Sequence, residues 1–168
     1  MMRILLLLIL LVTSSCSQTS TEGGSDQDAL ARLLDHVSVQ GDINDPDTPR
    51  PLVTLEEFFE ENDDFGSIGY NFYPDQPAPS DFYEIFKSIN SKPEVFDIRV
   101  QVNDQIEPED WPSTDTIWIF TSADVEEVDT WLGDRFRGDD YILGFPDSYQ
   151  IEDYDIPEGM QAIGVWWD

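Results

Sequence analysis

Four apolar residues in a row, Ile117-Trp118-Ile119-Phe120, stand between Thr116 and Thr121. All are β-branched or aromatic, so the stretch reads as a strand covered on both faces near the middle of a sheet. The flanking patterns supply its neighbours. Ile68, Tyr70 and Phe72 alternate with smaller or polar residues, as a half-buried strand does. Phe82, Ile85, Phe86 and Ile89 recur at helical spacing after Asp81, a residue suited to cap a helix, and Pro93 closes that helix. Phe96, Ile98, Val100 and Val102 alternate with Asp97, Arg99 and Gln101, predicting a strand with one wet face. Val125, Val128 and Leu132 mark a second helix, capped by Ser122 or Asp124 and ended by Gly133. Tyr141-Ile142-Leu143-Gly144-Phe145 and residues 160–167 predict two further strands.

From about 66 to 146 the predicted order is β-α-β-β-α-β, which implies an α+β, ferredoxin-like antiparallel sheet with two helices on one face. Extra N-terminal helices precede it and a C-terminal strand follows it. Leu30, Leu33, Leu34 and Val37 predict a helix over 28–39. Thr54-Leu55-Glu56-Glu57 fits a capping box ahead of Leu55, Phe58 and Phe59. Period-two geometry sends Ile117 and Ile119 to the helices and Trp118 and Phe120 to the opposite face. Phe58, Phe59 and the terminal Trp166-Trp167 pair are expected to cover that face; uncovered, it would be an apolar patch of the kind partners bind.

The N-terminus differs in kind. Arg3 is followed by nine apolar residues, Ile4 to Val12, then Thr13-Ser14-Ser15-Cys16. Nine residues fall well short of the ~20 that span a bilayer, and a charged start with a short apolar core and small residues is a secretory signal. With Cys16 at its end it resembles a bacterial lipoprotein signal, differing at Thr13, where an aliphatic residue is usual. The resemblance implies lipidation of Cys16, palmitate included, and a lipid-anchored place in the bacterial cell envelope, outside the cytoplasm. Residues 1–15 are then the signal peptide, 16–28 a Ser/Thr/Gly-rich acidic tether and 29–168 one α+β domain. Cys16 is the sole cysteine, so the domain carries no internal disulfide.

Charge narrows the partners. The 168 residues hold 36 Asp and Glu against 8 Lys and Arg, a net charge of −28. Such a field repels nucleic-acid phosphate and anionic lipid, so membrane contact falls to the lipid and the expected partner is a basic exported protein. A saline environment that screens self-repulsion accounts for the same composition without a partner.

Chemical motifs are sparse. His36 is the one histidine; without a second His or a free Cys no zinc site is expected, and because it falls outside the core near no obvious nucleophile, neither is Ser–His catalysis. Asp42, Asn44, Asp45 and Asp47 suggest a calcium loop, but Pro46 stands where a ligand and Asp47 where a glycine would be needed. No phosphate-binding glycine motif occurs, and no cofactor is implied. Paired carboxylates of a hydrolase remain open, because 36 acids produce pairs by number alone. Asp115, between Thr114 and Thr116 at the mouth of the central strand, is the first acid to inspect. With Trp111, Trp118, Trp166 and Trp167 it forms the candidate binding surface.

The phrases Asp45-Pro46-Asp47-Thr48-Pro49-Arg50-Pro51-Leu52-Val53-Thr54-Leu55-Glu56-Glu57-Phe58-Phe59, Gly66-Ser67-Ile68-Gly69-Tyr70-Asn71, Trp111-Pro112-Ser113-Thr114-Asp115-Thr116 and Trp166-Trp167-Asp168 together resemble a family of small acidic bacterial proteins of unknown function. The resemblance covers about 42–168 and brings no activity or site residues with it. The reading from sequence is an acidic, lipid-anchored interaction module, immunity- or inhibitor-like. A carboxylate-based envelope hydrolase is the alternative.

Overall fold

The computed structural model describes residues 22–72, 74–146 and 150–168, with side chains from residue 26 onward. The expected signal peptide, Cys16 and the first part of the tether lie outside them. In chain order the elements are α1 (Glu22–Val37), β1 (Leu52–Val53), α2 (Leu55–Phe59), α3 (Pro79–Asn90), β2 (Val95–Gln101), β3 (Thr116–Thr121), α4 (Val125–Phe136), β4 (Asp140–Leu143) and β5 (Gln161–Trp166). The result is a mixed α+β arrangement with an open five-stranded sheet in the order β1-β2-β3-β5-β4, every pair antiparallel.

β3 is the central strand, and all six of its residues are buried. Ile117 and Ile119 join Ile98, Val100, Ile163 and Val165 beneath Phe82, Phe86 and Ile89 of α3 and Val128, Leu132 and Phe136 of α4. Both helices therefore share one face, as the alternation predicts. Trp167 packs edge-on against Phe82 and Phe86 at 5.7 and 6.1 Å between ring centroids, on the helix side.

The connectivity differs from the expected ferredoxin-like one. Residues 68–72 add no strand to the sheet; Ile68 makes a single parallel bridge to Thr114. The seat beside β3 belongs to β5, paired through Ile117↔Val165 and Ile119↔Ile163. The cause is local at Gly69. Its φ of +65° turns the chain, Phe72 N–H returns to its carbonyl at 3.0 Å, and a Cβ there would stand 2.8 Å from the Phe82 ring. Tyr70 is left outside, 71% exposed.

Smaller departures have equally local causes. α1 starts at Glu22, inside the expected tether, because extending an anchored helix costs far less than nucleating one. α3 starts at Pro79, which is favoured at a first helical position, so Asp81 is not its cap but reaches back to the Ala78 N–H at 3.3 Å. A bulge between Val95 and Asp97 swings Phe96 outward to 54% exposure. The capping box of α2 is present: Thr54 Oγ1 accepts from Glu57 N–H and Glu57 Oε2 accepts from Thr54 N–H at 2.8 Å. Asp124 caps α4, and Gly133, at φ +64°, ends its first stretch before one more turn.

Gly164 offers a direct check on this packing. It faces Trp118 across the β3–β5 pair, and a Cβ would lie 2.9 Å from the indole. Gly164→Ala is expected to destabilise the fold by about 1–3 kcal/mol as an overpacking defect, read as a lower urea midpoint with an unchanged slope.

Candidate functional site

The face of the sheet turned away from the helices is organised in cross-strand rows. Leu52, Gln101, Thr116, Trp166 and Asp140 stand in register as one row at the end of the sheet. Arg99, Trp118, Gly164 and Ile142 form the next, and Asp97, Phe120 and Ala162 the third. The second and third rows are covered. Trp118 meets Phe145 at 4.9 Å in a T-shaped pair, and Phe120 stacks on Tyr154 at 3.9 Å. Trp118 and Phe120 are fully buried beneath Phe145, Ile151 and Tyr154. The expected cover was different: Phe58, Phe59 and Trp167 all pack on the helix side instead.

Polar contacts hold the cover down. Tyr154 donates to Asp97 Oδ2 at 2.5 Å, and Arg99 Nε donates to the same oxygen at 2.8 Å. The Arg99 guanidinium also lies 5.8 Å from the Tyr154 ring centroid. Burial alone would lower the Arg99 pKa, but the Asp97 hydrogen bond and charge outweigh it, so the guanidinium stays firmly charged. Burial, with Asp97 beside it, pushes the Tyr154 phenol up to about 12. Upstream, Arg50 and Glu152 exchange backbone bonds with residues 150 and 50, and Glu152 Oε2 accepts from Leu52 N–H at 2.9 Å.

The cover stops over Leu52 of the first row. The rest of that row, with buried Gln101 and Thr116 as floor, lines a cleft of about 580 Å³ together with Arg50, Asn103, Asp104 and Asp115. Arg50 Nη1 donates to the carbonyls of Ile43, at 2.7 Å, and Asn103, which fixes its position. Gln101 accepts from Trp118 Nε1 at 3.0 Å and donates to Asn103 Oδ1 at 2.9 Å, tying the cleft floor to the buried indole. Each cleft acid already has a partner: Asp104 takes the Ser113 hydroxyl, Asp115 the Thr116 hydroxyl at 2.7 Å, and Asp140 the Tyr141 N–H at 2.8 Å. One guanidinium among three carboxylates leaves the cleft net negative, and the half-exposed Trp166 gives it an apolar wall.

Of the residues expected to form a binding surface, the cleft brings together Asp115 and Trp166. Trp118 lies buried below them. Trp167 is buried on the helix side, its Nε1 donating to the Arg137 carbonyl at 3.2 Å. Trp111 is buried near the start of α1, lining clefts with Leu30 and Asp64. His36 lies outside the cleft and joins Glu57 at 2.9 Å, bridging α1 to α2. Burial raises the Glu57 pKa, but the Thr54 bonds and His36 outweigh it, and the carboxyl sits below its usual range. Asp42 and Asp45 cap their own turns through Asn44 and Asp47 N–H. Among the described residues no cluster of three or more His, Cys, Asp or Glu is placed to hold a metal ion. None of their helices is long and apolar enough to cross a membrane. Sequence reasoning missed Arg50, Gln101 and Asp140, which reach the cleft only through strand pairing.

Residues 28–165 match the family described as "Uncharacterized protein YfbO family". A relative from Escherichia coli (strain K12), described as "Uncharacterized protein YfbO", is 36% identical over 139 residues, which is 83% of this chain and 98% of the relative. No solved structure matches.

The Tyr154–Asp97 contact carries a pH signature. Its phenol pKa is higher in the fold than the usual 10, so the stability it contributes is whole below pH 10 and is lost as pH rises through about 12. Tyr154→Phe should flatten the stability decline between pH 10 and 12 and cost about 1–3 kcal/mol at pH 7, measured by urea unfolding at each pH.

Proposed function

The chain belongs to the YfbO family, and from that premise we propose that it is a lipid-anchored acidic module of the bacterial cell envelope that binds a basic exported protein. The family description carries no activity, so the proposal rests on the residues. One observation carries it: at the end of an otherwise covered sheet face, Trp166 and Asp140 reach solvent over a buried polar floor of Gln101 and Thr116, within a net-negative cleft. A half-exposed indole beside carboxylates suits a Lys or Arg side chain, which gains both a charge partner and a ring face. The chain-wide charge of −28 would steer a cationic partner toward the surface before any contact forms. An immunity or inhibitor role toward a basic toxin is one form this takes.

Anchoring rests on Cys16 and the apolar run before it. A single acyl chain binds membranes marginally and reversibly, so stable attachment calls for more than one. The acidic domain itself adds no attraction to anionic lipid.

The two halves of the proposal are tested separately. Cells expressing the chain and fed a palmitate analogue should label it and retain it in the membrane fraction, and Cys16→Ala should abolish both. Labelling that persists in Cys16→Ala contradicts the anchor. For binding, partners captured from an envelope extract by the full chain should be basic, should be lost between 50 and 500 mM salt, and should fall at least tenfold with Trp166→Ala. Recovery of the same partners by Trp166→Ala, with the fold intact by circular dichroism, contradicts the cleft.

A further inference from the structure

A second concave surface, sharing no lining residue with the sheet-end cleft, lies between α2, the start of α3 and α1. Two clefts of about 450 and 400 Å³ adjoin there, sharing Asp26, Glu61 and Asp63. The floor of the first is apolar, made by Phe59, Phe65, Pro79 and Tyr83, with Phe65 51% exposed. Leu30 and Trp111 continue the floor into the second. Glu60, Asp64, Glu109 and Asp110 add to the rim, and neither cleft is lined by Lys or Arg.

Three observations say what chemistry is wanted. The Tyr83 phenol is pushed above its usual range, by burial first and then by Glu56, Glu60 and Glu84, so the groove sits in a negative field. Lys87 stands over the Tyr83 ring at 4.6 Å, so the ring already holds a cation of the chain's own. Trp111 is 8% exposed, and its Nε1 is buried with no hydrogen-bond partner among the described residues. An indole N–H only donates, so it calls for an oxygen acceptor.

We propose that this groove docks a basic amphipathic segment of a partner protein. Such a segment sets apolar side chains on Phe59, Phe65 and Tyr83, Lys or Arg against the acidic rim, and a backbone carbonyl to which Trp111 Nε1, buried in the free chain, turns on docking. Charge excludes the other occupants: a second copy brings another −28, and an anionic lipid surface is repelled. The inference rests on the reading of the chain as an acidic interaction module but names a different surface from the sheet-end cleft.

The test uses the full chain and two 14-residue Leu/Lys peptides of equal composition, one with Leu at i, i+3, i+4 and i+7 and one scrambled. The patterned peptide should bind at least tenfold tighter. It should shift the Trp111 indole signal in a ¹H–¹⁵N spectrum, assigned by its absence in Trp111→Phe. Phe65→Asp should weaken it at least tenfold, while Leu143→Asp, at an exposed site on β4, should leave it unchanged. Equal binding of the scrambled peptide, an unmoved Trp111 signal, or an unaffected Phe65→Asp overturns the groove. Loss of binding in Trp166→Ala with Phe65→Asp unaffected overturns the groove while leaving the sheet-end cleft standing.

Discussion

β3 buries six consecutive residues, and that places a demand on everything around it. A strand with isoleucines on one face and Trp118 and Phe120 on the other must be covered twice. Full burial of each such side chain contributes about 1.5–3 kcal/mol, and an uncovered face forfeits it. The helix side is met by α3 and α4. The other side is met by Phe145, Ile151 and Tyr154, fastened through the Asp97, Arg99 and Tyr154 contacts. These ion and hydrogen bonds are half-buried, so they fix the position of the cover more than they supply its energy.

The candidate site follows from how far that cover reaches. It seals the second and third rows and stops short of the first, so Trp166 and Asp140 reach solvent at the sheet's end above buried Gln101 and Thr116. The Trp118–Gln101–Asn103 chain of hydrogen bonds links the sealed rows to the open one. Structure and site are thus one problem in packing: the polar cleft is where the aromatic cover ends.

Much of this was legible in local pattern. The parity of Ile117-Trp118-Ile119-Phe120 gave both faces correctly, helical spacing gave α3 and α4, and the Thr54–Glu57 box gave the start of α2. What escaped was long-range. The turn at Gly69 keeps residues 68–72 out of the sheet, and 161–166 take the seat beside β3 with Gly164 set against the Trp118 indole. A glycine facing a tryptophan 46 positions away has no local signature. The cover escaped for a similar reason: Phe145, Ile151 and Tyr154 are scattered through an acidic, proline-bearing segment with neither helical nor strand period. The site was legible only in Asp115 and Trp166. Arg50, Gln101 and Asp140 join them through register, which the sequence does not display.

Hydrogen exchange of the β3 amides under native conditions tests the double covering most directly. If both faces are sealed, the amides of residues 117–120 exchange only through global opening, with a free energy equal to that of urea unfolding. Exchange of these amides through a local opening about 2 kcal/mol or more below the global value would contradict the account, because it would mean that one cover lifts while the rest of the domain stays folded.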